Sequence, residues 1–119
     1  MSTIVAVNGV IETNDKWPEG TAVGYDVSFQ DEDGAAYTPA STIAAKVYPK
    51  SGAVIETLTA ITAAATIEVT TAEATNNIGT SGQQRILSLE WTAITTRYSA
   101  PGITQRCDIH YQISDMRDV

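Results

Sequence analysis

Three consecutive carboxylates precede a glycine in FQDEDGAAYTP, residues 29–39, and raise the first chemical question about this 119-residue chain. A calcium loop needs oxygen ligands at alternating positions through about twelve residues, closed by a bidentate glutamate. Asp31, Glu32 and Asp33 begin such a pattern, but Ala35, Ala36 and Tyr37 stand where further ligands belong. Asp33-Gly34 instead supplies the positive φ angles of a tight connection, so the run predicts a turn with a solvated acidic tip. The second cluster is Cys107, Asp108 and His110. A thiol and an imidazole make a nucleophile and base only within hydrogen-bond reach, yet on one extended strand residues 107 and 110 project to opposite faces. Cys107 therefore reads as a small buried apolar residue and His110 as a lone polar-face histidine.

Other chemical signatures fail on spacing. No serine sits in a Gly-x-Ser-x-Gly elbow, and the glycine-rich NNIGTSGQQR lacks a lysine and opens a strand where a phosphate loop opens a helix. The expectation is a chain with no catalytic residue, no metal ligand and no cofactor. Seven basic against fourteen acidic residues give a formal charge of −7, which repels a phosphate backbone and an anionic lipid surface. Nucleic acid and membrane are not expected partners. One cysteine allows no internal disulfide, no apolar run approaches the roughly 20 residues that span a bilayer, and MSTIVAVNGVIETND lacks the basic start of a secretory signal. A product made in the cytoplasm and held together by packing is the expectation.

The elements that must supply that packing are strands. TAVGYDVSFQ puts Val23, Tyr25, Val27 and Phe29 on one face, QRILSLEWTAI does so with Leu87, Leu89 and Trp91, and QRCDIHYQIS with Cys107, Ile109, Tyr111 and Ile113. Shorter strands are predicted at TIVAV, VIET, STIAAKVYP, AVIETLT and TIEVT. Asn8-Gly9, Asp33-Gly34, Lys50-Ser51-Gly52 and Pro101-Gly102 punctuate them. The pattern predicts one all-β domain over residues 1–119 with about seven or eight short strands, and one short helical turn near residues 71–78, with Thr71 as its cap and Gly79 as its stop. Trp91, Phe29, Tyr25 and Tyr111 fall in core phase. Trp17, in the polar NDKWPEGT, and Tyr98, in TTRYSAPG, do not, and they are the candidate interface residues. Trp17 beside Pro18 also suits a plug at the end of the sandwich, the reading preferred for it.

The order of these pieces (YDVSFQDEDG, STIAAKVYPKSG, IEVT, TAEATNN, RILSLEWTA, DIHYQISDM) resembles the small immunoglobulin-like β-sandwich modules of tailed-bacteriophage virions, across residues 21–115. Baseplate, fibre-attachment and head-decoration proteins carry such modules. The resemblance implies an immunoglobulin-like β-sandwich in the virion, made in the host cytoplasm, that is a non-enzymatic structural part. Its partners would be other virion proteins or further copies of itself. The chain departs from antibody-type domains, which bracket a core tryptophan with two cysteines, because its single Cys107 follows Trp91. Residues 1–13 are the expected docking or exchanged strand, since their apolar residues precede a polar Trp-Pro connector and could pair with a neighbour's sheet edge. The alternative function is a carbohydrate- or cell-surface-binding module with Trp17 and Tyr98 as stacking platforms.

Overall fold

The computed structural model describes residues 2–6, 9–30, 34–76, 83–92 and 104–114. Among them lie eight strands: β1 (Ser2–Ala6), β2 (Gly9–Pro18), β3 (Gly24–Phe29), β4 (Ala44–Pro49), β5 (Glu56–Thr57), β6 (Thr66–Thr70), β7 (Gln84–Thr92) and β8 (Thr104–Ser114). A single 3-10 turn, Glu73–Asn76, falls inside the predicted helical span. The strands form a three-stranded sheet, β1-β3-β6, and a five-stranded sheet, β2-β8-β7-β4-β5. The antiparallel pair β3-β6 over the run β8-β7-β4-β5 is the arrangement of an immunoglobulin-like sandwich.

Alternation sets the two inner faces. Val23, Tyr25, Val27 and Phe29 are fully buried from one sheet, and Leu87, Leu89, Cys107 and Ile109 from the other. Ring contacts bridge the layers, with Phe29 edge-on to Trp91 at 5.0 Å and Tyr25 tilted against Tyr111 at 6.2 Å. Trp91 donates its indole N–H to the Tyr37 hydroxyl at 2.7 Å, so its one polar atom is satisfied inside the core. Ser88, on the opposite phase, is nevertheless 8% exposed. It is a short side chain flanked in register by Lys46 and Asp108, whose longer side chains rise on either side of it.

Three expectations need correction. Residues 14–18 are not a polar connector but the second half of the ten-residue β2. The predicted strand AVIETLT shrinks to Glu56–Thr57, because only these two residues pair with β4. The Thr71 hydroxyl does not cap the 3-10 turn from its start: it accepts from Val23 N at 3.1 Å and from Asn76 Nδ2 at 2.8 Å. The Glu56 carboxylate takes the capping role, accepting the Ala72 N–H at 3.0 Å and the Thr75 hydroxyl.

The N-terminal topology was not legible in the sequence. β1 pairs with β3 in parallel, whereas β2 pairs with β8 in parallel, so the two strands belong to opposite sheets. Phe29 meets Trp91, which pairs with Gln105, and Tyr25 meets Tyr111, so β3 runs against β8. It follows that β1 runs against β2. β1 and β2 are thus the two opposed arms of an arch along one side of the sandwich, and Gly9, at the start of β2, holds φ +144°.

Candidate functional site

The residues first suspected of chemistry do not converge. Cys107 is buried in the core, while His110, on the outer face of the same strand, places Nδ1 2.8 Å from Glu12 Oε1 on β2. Asp108 accepts from Arg106 Nε at 3.0 Å, a contact that raises the guanidinium pKa. Thiol and imidazole thus face apart, as alternation requires. Among the described residues no three His, Cys, Asp or Glu side chains form a metal-holding group. Asp31, Glu32 and Asp33 lie outside the described residues. Their described flanks are joined by the antiparallel bridge Gln30–Ala36 and by Tyr37 N donating to Phe29 O at 3.1 Å, and Gly34 holds φ +83°.

Trp17 and Tyr98 separate. Tyr98 lies outside the described residues. Trp17 is half-buried on the inner phase of β2, edge-on to Tyr25 at 5.8 Å, and donates its indole N–H to the Tyr25 hydroxyl at 3.3 Å. That hydroxyl donates to Asp15 Oδ2 at 3.0 Å. Burial, reinforced by the Asp15 carboxylate, pushes the Tyr25 phenol up to about 12 against the opposing hydrogen bonds from Trp17 and Thr13. Beside it, Tyr111 donates to Asn76 Oδ1 at 3.0 Å, and its own pKa rises through burial. The Asn76 amide donates to Thr21 O at 2.7 Å and to the Thr71 hydroxyl. Arg85, 1% exposed, donates Nε to Thr75 O at 2.9 Å and Nη1 to Gln84 O at 2.9 Å. Burial lowers its pKa. This polar cluster fastens the 3-10 turn to the Tyr25 end of the sandwich. Its phenols are held neutral by burial and hydrogen-bonded within the cluster.

A cleft of about 300 Å³ opens on the five-stranded sheet where β2 bulges. Glu12 pairs with His110 and Lys16 with Gln112, so residues 13–15 stand opposite Tyr111 alone. The two extra residues preserve parity, which is why Trp17 still faces inward; an odd insertion would turn it to solvent. Asn14 holds φ +59° at the bulge, and Thr13 donates its hydroxyl to His110 O at 2.7 Å and accepts Asp15 N at 3.1 Å. Asn14, Gln84 and Gln112 bring amides to the cleft, Glu12 a carboxylate and His110 an imidazole, while Asp15 and Arg85 border it with their charged groups turned inward. The bulge carries no signal in the sequence beyond Asn14, a residue type that tolerates positive φ.

The large apolar side chains left exposed among the described residues are Val5, Val10 and Val54. Two of them lie on the arch strands: Val5, 40% exposed, faces out from β1 and Val10, 60% exposed, from β2. Each of these strands is the edge of its sheet. No protein-family model, curated protein or solved structure matches the chain.

Proposed function

We propose that the protein is a non-enzymatic structural component of a tailed-phage virion that acts by self-association or by docking to neighbouring virion proteins. The observation that carries this reading is the coincidence of exposed valines with open sheet edges on the N-terminal arch, Val5 on β1 and Val10 on β2. An edge strand offers unpaired backbone donors and acceptors, and apolar side chains beside it add area that association removes from water. The virion setting draws on the resemblance in element order. Light scattering of the full chain over a range of concentrations tests the self-association arm, with a defined species above the monomer mass expected. A strict monomer overturns that arm.

A second reading, a carbohydrate- or cell-surface-binding module, is favoured by the bulge cleft, whose amides and carboxylate suit hydroxyl groups. The half-buried Trp17 is not its platform, since its indole N–H is directed inward to Tyr25. A glycan array read with Gln84→Ala and Asn14→Gly tests it; glycan binding lost in Gln84→Ala with folding intact would favour this reading over assembly.

A further inference from the structure

Resting on the self-association reading, we infer that β1 is an exchangeable strand: residues 2–6 of one copy occupy the β3 edge of a second copy in place of that copy's own β1. The slot is already shaped to this segment. Ile4 and Ala6 point inward opposite Val27 and Phe29, 8% and 0% exposed, while Thr3 and Val5 point out. A neighbour's identical strand would make the same hydrogen bonds and fill the same core positions, so exchange changes no contact inside the slot.

What differs between the two arrangements is the reversal. Ala6 ends β1 in one sheet and Gly9 begins β2 in the other, with only residues 7 and 8 between them. Gly9 takes φ +144° to complete the arch, a conformation that L side chains rarely adopt, although a β-carbon there would meet nothing within 4 Å. Glycine adopts that angle without steric cost, so what exchange changes is the connection itself: a two-residue link between opposite sheets is the short kind of hinge that exchange opens into a span between copies. β2 is not exchanged with it. Its ten residues are held by pairing along β8, by Trp17 against Tyr25, and by the Thr13 and Asp15 hydrogen bonds.

The geometry of the exchanged pair follows. In its slot Ala6 lies beside Phe29, and Gly9 lies beside Cys107, towards the same end of the sandwich. Three Cα steps from residue 6 to residue 9 span about 10 Å. Two copies that trade β1 must therefore bring their Phe29 ends within about 10 Å of each other at this connection.

The test uses the register pair Val5 and Ser28, which face outward on β1 and β3. The native Cys107 is buried, so it leaves engineered thiols as the reactive ones. Full-length Val5→Cys is mixed with full-length Ser28→Cys, incubated at assembling concentration and oxidised. Exchange predicts a mixed disulfide dimer well above that from a Val54→Cys and Ser28→Cys control, because only a β1 seated on another copy's β3 brings the first pair together. The double variant Val5→Cys/Ser28→Cys, oxidised as a dilute monomer, locks β1 at home and should fail to assemble. Gly9→Val, which penalises the arch, should raise the exchanged fraction on the order of tenfold. Circular dichroism confirms that each variant folds. A locked protein that assembles like the parent overturns the exchange while leaving self-association standing. A parent chain that stays monomeric at every concentration overturns both.

Discussion

Removing the Asn76 carboxamide takes a partner from the Tyr111 hydroxyl, the Thr21 carbonyl and the Thr71 hydroxyl at once. Because Asn76 and Thr71 are buried, water does not readily replace those bonds, and Asn76→Ala should destabilise the fold by roughly 2–4 kcal/mol. Tyr111→Phe removes one bond of the set and should cost about 1–2 kcal/mol. Urea unfolding monitored by circular dichroism separates the two, provided the m value is unchanged. The same cluster dictates an alkaline limit. Tyr25 and Tyr111 keep their protons in the fold at pH values where a free phenol, near pH 10, has released its own. Above about pH 10 the unfolded chain therefore binds fewer protons than the folded one, and stability falls as pH rises, through about 12 for Tyr25. The urea midpoint should be free of this contribution below pH 10 and decline above it, and the decline should be shallower in Tyr25→Phe. An unchanged decline in that variant would refute the assignment to Tyr25.

The strands that were plain in the sequence are those with at least three successive apolar or aromatic inward positions. β3, β7 and β8 show period-2 alternation because the inward positions 23–29, 87–91 and 107–113 are all apolar or aromatic, even though Arg85 and Gln105 precede two of these runs on the same face. β2 hides its alternation. Its inward residues are Ile11, Thr13, Asp15 and Trp17, and the two polar ones face in because the bulge gives them partners, His110 O for Thr13 and the Tyr25 hydroxyl for Asp15. Arg85 belongs to the same class, a cation on the inner phase of β7 that backbone carbonyls receive. Such partners come from distant strands, and no local pattern reports them. Parallel pairing of β1 and of β2 was hidden for the same reason. Of the candidate interface pair, Trp17 is half-buried edge-on to Tyr25, and Tyr98 lies outside the described residues. The bulge carries its own prediction: at φ +59°, Asn14→Gly should leave stability within a few tenths of a kcal/mol of the parent or raise it, while Asn14→Val should lose about 1–2 kcal/mol. Thermal unfolding of the two variants checks the sign, and equal melting temperatures would argue against a left-handed Asn14.

Each copy carries a formal charge of −7, so association of identical copies works against Coulomb repulsion. Screening should then favour assembly. The apparent association constant should rise between low salt and physiological ionic strength, where the Debye length falls from about 30 Å to about 8 Å. Sedimentation over a salt series reads this directly; a constant that falls with salt would point to a charge-complementary contact in place of strand and apolar burial. The sandwich is also polar in a geometric sense. Ser2 pairs with Tyr25, and Ser114 pairs with Pro18 next to Trp17, which itself packs on Tyr25. Both ends of the described chain therefore leave from one pole, while Phe29, Tyr37 and Trp91 mark the other. Cargo fused before β1 or after β8 would hang from the same pole, like two threads tied to one end of a bead, and the opposite tip would carry no covalent load.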